Sequence, residues 1–101
     1  MSKSFNCLTV AQIERLALLA EEAAEVVKAA MKILRHGYES CHPHEDETNR
    51  ESLERECGDL LYAINLIAKA KDLRYSSIEE HQKIKENSVF DYLHHQRKKS
   101  T

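Results

Sequence analysis

Apolar residues return along the first third of the chain at intervals of three and four: Ile13, Leu16, Ala20, Ala24, Val27, Met31 and Leu34. That period marks one face of a helix, not a strand. "TVAQ" supplies the start, with Thr9 as N-cap and Gln12 at the capping-box position, and Gly37 after "RH" supplies the stop. The spacing therefore predicts a first helix over residues 10–36. Leu19, Val26 and Ile33 form a second apolar row beside the main stripe, so this helix has more than one surface to bury. At 1.5 Å per residue it would be about 40 Å long, beyond the roughly 34 Å diameter of a 100-residue domain. A dimer or tetramer is the expected way to cover it.

"GYESCHPHEDET" is polar, carries the only proline and reads as a loop. Thr48 and Glu51 then offer another capping box, and Leu53, Cys57, Leu60, Ile64 and Ile67 predict a second helix over about residues 49–72, with Lys69 and Lys71 suiting its C-terminal end. It should pack antiparallel to the first. Ser76 and Ser77 each have a glutamate three residues on, which predicts the start of a third helix. After Asn87-Ser88, the residues Val89, Phe90 and Leu93 suggest a short last helix. The expected architecture is all-α, an antiparallel bundle of about four helices. Residues 1–101 form a single domain, with 1–8 as an N-terminal arm and 97–101 as a loose basic tail.

Composition narrows this further. A chain of 101 residues fits one small domain, and two glycines with one proline are too few turn residues for a many-stranded sheet. Fifteen Lys and Arg against 17 Asp and Glu leave a net charge of −2, which gives no whole-molecule field for gripping nucleic acid. No apolar run approaches the roughly 18 residues of a membrane span, and "MSKSFNCL" lacks the apolar core of a signal peptide. Cys7, Cys41 and Cys57 form neither an even set nor a CxxC pair, so a reducing, cytoplasmic setting is expected.

The candidate chemistry lies in the carboxylates. Glu21, Glu22 and Glu25 in "LALLAEEAAEVVKAAM" share one helical arc, opposite the main apolar stripe. Taken alone this is an ordinary solvated face, and Lys28 sits three residues after Glu25. In "LERECGDLLYAI", however, Glu56 projects between Leu53, Leu60, Ala63 and Ile67, with Asp59 at the margin of the same face. A carboxylate inside an apolar arc must face a partner helix. Placing it against the acids of the first helix brings four or five like charges into one cleft, which Lys28 or Lys32 alone cannot neutralise. All-oxygen ligands suit a hard divalent ion, Mg²⁺ or Mn²⁺, and Mg²⁺ completes its shell with water and substrate phosphate. The pattern points to metal-assisted phosphoryl chemistry. Tyr62, one turn after Asp59, is the candidate wall for a nucleobase, although a tyrosine there also suits a core.

"EEAAE", followed about thirty residues later by "ECGD" and then "LLYAI", resembles the MazG-like all-α nucleoside triphosphate pyrophosphohydrolases over residues 13–72. The resemblance implies a helical dimer or tetramer. It also implies Mg²⁺-dependent hydrolysis of a (deoxy)nucleoside triphosphate to the monophosphate and pyrophosphate by a metal-activated water. By position, Glu22, Glu25, Glu56 and Asp59 match the metal ligands, and Glu21 matches the leading glutamate that binds a further ion or orients the attacking water. Lys83 and Asn87 in "KIKEN" match a lysine and asparagine that reach phosphate in such enzymes. The loop between Glu25 and Glu56 is longer than in compact members of the family, so substrate preference stays open.

Three other readings are open. Phosphoribosyl-ATP pyrophosphohydrolase has a similar acid pattern. An adaptor or dimerisation module would need arginines opposite the acids, yet Arg15, Arg35, Arg50 and Arg55 lie off the arc of Glu56 and Asp59. Zinc at Cys41, His42, His44 and Cys57 has the right ligand types at poor spacing, and Cys57 reads as a small buried hydrophobe. His94 and His95 belong to the basic tail, where exposure to solvent is expected.

Overall fold

In a computed structural model, which describes residues 5–96, both long helices begin at a reciprocal cap. Thr9 and Gln12 cap α1, Val10–His36, and Thr48 and Glu51 cap α2, Asn49–Lys69; in each, the threonine side chain accepts from the fourth residue's N–H and that residue's side chain accepts in return. Gly37, at φ 88°, ends α1 and donates its N–H to the Ile33 carbonyl at 2.7 Å. A non-glycine residue ends α2. Lys71 takes φ 70°, with Lys71 N–H on the Ala68 carbonyl and Asp72 N–H on the Ile67 carbonyl, so the helix stops three residues before the expected boundary at 72.

That reversal places Asp72 beside the start of α1. Arg15 Nε donates to Asp72 Oδ2 at 2.8 Å and Gln12 Nε2 to Oδ1 at 3.3 Å, closing the open end of the α1–α2 hairpin. The Arg15 hydrogen bond holds the Asp72 carboxyl below its ordinary value. Stability from this contact is therefore complete above the ordinary carboxylate pKa and lost as pH falls through the folded value.

The opposite end is closed by the connecting loop, residues 37–48. Asn49 is buried, donating from Nδ2 to the Gly37 carbonyl at 3.0 Å and from its backbone N–H to the Ser40 carbonyl at 2.8 Å. Arg50 donates to Glu39 and lies 4.6 Å from the centre of the Tyr38 ring, and a single bridge pairs Cys41 with Thr48. Replacing the buried Asn49 with alanine removes the side-chain donor to the Gly37 carbonyl. The expected loss is about 0.5–1.5 kcal/mol of unfolding free energy, read from urea midpoints; an unchanged midpoint would show that the loop is held without it.

The α1–α2 face that packs is not the main apolar stripe. Leu18, Leu19, Glu22, Ala23, Val26, Ala29, Ala30 and Ile33 turn toward α2, where Glu56, Ala63, Ile67 and Ala68 are buried. Ile13, Leu16, Ala20, Ala24, Val27, Met31 and Leu34 face outward, Val27 at 62% exposure and Leu34 at 77%. One helix partner can cover only one side of α1, and α2 takes the side with small alanines and the flanking row. Cys57, expected to be buried, is likewise exposed.

The third helix, α3, spans Tyr75–Ser88 and begins one residue ahead of the serines expected to cap it, with Arg74 at the N-cap and no side-chain cap bond. The expected fourth helix is a single 3-10 turn, Val89–Asp91, continuing from α3. Among the described residues the fold is thus all-α with three helices and no strand, not a closed four-helix bundle within one chain. α3 packs chiefly on that turn and borders an open groove of about 830 Å³ lined by residues that include Leu73, Ile78 and Val89. The radius of gyration, 17.4 Å, exceeds the roughly 13 Å of a compact domain of this length. Residues 1–4 and 97–101, which include most of the expected arm's start and the basic tail, lie outside the described residues.

Candidate metal centre

Midway along the hairpin, α1 and α2 bring Glu22, Glu56 and Asp59 together, with one carboxylate oxygen from each within 4.8 Å of the others. The helical spacing explains the set. Glu56 and Asp59 are one turn apart on α2, and Glu22 is the acid of α1 that turns inward with Leu19 and Val26. Burial differs across the three: Glu56 is 7% exposed, Glu22 half-buried and Asp59 exposed. The site thus has a protein floor and an open side toward solvent.

Desolvation pushes the Glu22 carboxyl above its ordinary value, and repulsion from Asp59, Glu56, Glu21 and Glu25 adds to the rise. Three carboxylates at this separation, supplying only oxygen, fit a hard divalent cation. A raised carboxyl binds its proton more tightly in the folded chain than in the unfolded one. The stability so gained is complete below the ordinary carboxylate pKa and lost as pH rises through the folded value. Glu22→Gln is therefore expected to raise the melting temperature of metal-free protein at about pH 7.5, with the gain shrinking toward about pH 4. Calorimetry across that range tests it, and a gain independent of pH would contradict the repulsion.

Arginine does reach this face. Arg55 Nη1 donates to Glu56 Oε1 at 2.6 Å, while its Nε and Nη2 donate to the two oxygens of Glu47 at 3.1 and 3.0 Å. Periodicity hid this contact because Arg55 and Glu56 are neighbours on different helical faces, and only a long side chain crosses between them. The Glu47 hydrogen bond and charge, with the Glu56 charge, raise the Arg55 pKa, and Arg55 in return holds Glu47 low. Glu47 comes from the connecting loop. That loop reaches the rim of the site without covering it.

The remaining candidates divide. Glu25 is exposed and shares with Glu56 a hollow of about 150 Å³ that Lys28, Lys32, Glu45, Ser52 and Arg55 also line. Glu21 is exposed on the neighbouring strip of α1. Tyr62, 62% exposed, lines a second hollow of about 320 Å³ with Leu18, Glu22 and Asp59, so it is a wall of the site and not core. Lys83 and Asn87 line neither hollow; both are exposed on α3, and Asn87 Nδ2 donates to the Lys83 carbonyl at 3.2 Å. Among the described residues the acid trio is the metal-competent cluster, and Cys41, His42, His44 and Cys57 do not assemble into one. His94 and His95 are exposed.

No helix among the described residues is long and apolar enough to cross a membrane. No curated protein and no solved structure gives a significant match to the chain. The family model of the MazG nucleotide pyrophosphohydrolase domain matches residues 11–91, from the first turn of α1 through the 3-10 turn after α3. With that match over most of its length and the acid motifs of α1 and α2 meeting in one cluster, the chain belongs to the MazG nucleotide pyrophosphohydrolase domain family.

Proposed function

We propose that this protein is a Mg²⁺-dependent pyrophosphohydrolase that converts a (deoxy)nucleoside triphosphate into its monophosphate and pyrophosphate. The observation that carries the reading is the meeting of Glu22, Glu56 and Asp59 across two helices beside an open hollow. Glu22, Glu56 and Asp59 would hold the ion, with Glu25 as a fourth ligand from the adjoining hollow; Mn²⁺ would substitute. When bound, the ion supplies positive charge to the phosphate oxygens and makes water a better nucleophile at neutral pH.

The chain's own residues do the rest. Water attacks the α-phosphorus, the α–β anhydride bond breaks, and pyrophosphate leaves with the bonding electrons. The proton released by water passes to a carboxylate, with Glu21 and Glu22 as the candidates at the open rim of α1. Arg55 donates to Glu56 and fixes the position of its carboxylate. Lys83 and Asn87 would contact phosphate only if α3 is brought over the acids, and a neighbouring subunit is the natural means.

The outward stripe of α1 supports a homodimer or homotetramer, as does α3 standing apart from the hairpin. The exposed free cysteines suit a reducing, cytoplasmic setting. Phosphoribosyl-ATP is the alternative substrate, since the same bond would be cleaved by the same groups. A non-enzymatic adaptor is the other alternative, and the Arg55–Glu56 pair is the contact that would favour it.

The test is release of pyrophosphate and nucleoside monophosphate from a panel of ordinary and modified (deoxy)nucleoside triphosphates and phosphoribosyl-ATP, with Mg²⁺, with Mn²⁺ and with chelator. Metal-dependent release is expected. Silence across the panel from folded protein, together with no melting-temperature gain from either ion, would instead favour the adaptor.

A further inference from the structure

Building on that functional reading, we infer the direction in which the substrate lies: its base at Tyr62 and Leu18, its departing pyrophosphate at Lys28 and Lys32. The two hollows that border the acid cluster differ in chemistry and lie on opposite sides of it. At 1.5 Å per residue, Leu18 precedes Glu22 by about 6 Å along α1, whereas Lys28 follows it by about 9 Å. Because α2 runs antiparallel, Tyr62 joins Leu18 at one end and Arg55 joins Lys28 and Lys32 at the other.

The first hollow, about 320 Å³, offers an exposed tyrosine ring and a leucine, surfaces on which a base can stack. The second, about 150 Å³, offers three cations against Glu25, Glu45 and Glu56. Once Glu25 and Glu56 are committed to a divalent ion, Glu45 and Glu47 are the acids left facing those cations, and Glu47 is taken up by Arg55. Arg55 is already held by Glu47 and Glu56, but among the described residues Lys28 and Lys32 form no ion pair. They are the cations available to an anion. Lys32 also lines the adjoining hollow with Arg35, so positive charge continues toward the loop end of the hairpin. A triphosphate whose scissile bond sits at the acids would meet favourable charge on this side alone.

The inference separates the two products by the residues that hold them. Inhibition constants for inorganic pyrophosphate and for the nucleoside monophosphate, measured with Mg²⁺ against triphosphate hydrolysis, read each end independently. Lys28→Ala/Lys32→Ala is expected to weaken pyrophosphate inhibition at least tenfold and leave monophosphate inhibition within about twofold. Lys28→Arg/Lys32→Arg should restore it. Tyr62→Ala should do the reverse, weakening the monophosphate and sparing pyrophosphate. Lys28 is exposed and Lys32 half-buried on α1, and Lys28→Gln/Lys32→Gln provides a second neutral variant should the alanine pair fold poorly. Equal weakening of both products by the lysine variants, or unchanged pyrophosphate inhibition, would overturn the direction while hydrolysis by the wild type keeps the functional reading intact. Wild-type protein that hydrolyses none of the panel would remove the functional reading, and this inference with it.

Discussion

Asp59→Asn is expected to lower turnover by on the order of 10³-fold while leaving the fold intact. Of the three clustered acids, Asp59 is the one whose replacement isolates chemistry from packing. It is exposed, no side chain among the described residues donates a hydrogen bond to it, and asparagine keeps its shape. Glu56→Gln is the poorer test, because Glu56 is buried and accepts from Arg55, so its loss mixes catalysis with packing. In metal-free protein, Asp59→Asn removes one of the charges that repel Glu22, so the melting temperature should hold or rise. Addition of Mg²⁺ or Mn²⁺ should then stabilise the variant less than the wild type. Glu25→Gln should behave in the same direction. Turnover at the wild-type rate in Asp59→Asn would dismiss the metal assignment.

Val27→Glu should break the proposed dimer or tetramer into monomers and lower its melting temperature. Val27 lies in the outward stripe of α1 with Leu16, Met31 and Leu34, and among the described residues nothing covers that side of the helix. Full burial of one valine-sized side chain is worth about 1.5–3 kcal/mol. In a two-fold interface each substitution counts twice, so losing about 3–6 kcal/mol weakens association by about two to four orders of magnitude before the glutamate's own desolvation is added. Light scattering at micromolar concentration reads the outcome directly. A wild-type protein that is already a monomer would contradict the assembly.

The two long helices were legible because their ends carry reciprocal caps and their apolar positions recur over several turns. The Lys71 reversal was not, because nothing in a lysine announces a left-handed residue. Periodicity also reported two apolar rows on α1 without saying which would be satisfied inside the chain. It is an account of where apolar atoms lie, not of what covers them, and the smaller row with its alanines proved to be the inner one. The acid trio was legible for a related reason: Glu56 interrupts an apolar arc, and only a facing group explains that. Arg55 escaped notice because its reach depends on side-chain length. Lys83 and Asn87 matched a family pattern, but the chain alone does not carry them to the acids.

The double use of α1 also bears on how this sequence can drift. One side of the helix is constrained by α2 and the acids, and another, in the proposed assembly, by the apolar stripe, leaving Glu14, Ala17 and Arg35 on the strip between them. Few single changes in α1 are neutral under both demands, so its sequence should vary slowly. The loop after Gly37 is pinned by Asn49, Arg50 and Arg55 yet reaches the rim of the acids through Glu45 and Glu47, and novelty in substrate choice would arise there most readily, at the edge of a scaffold that cannot itself move far.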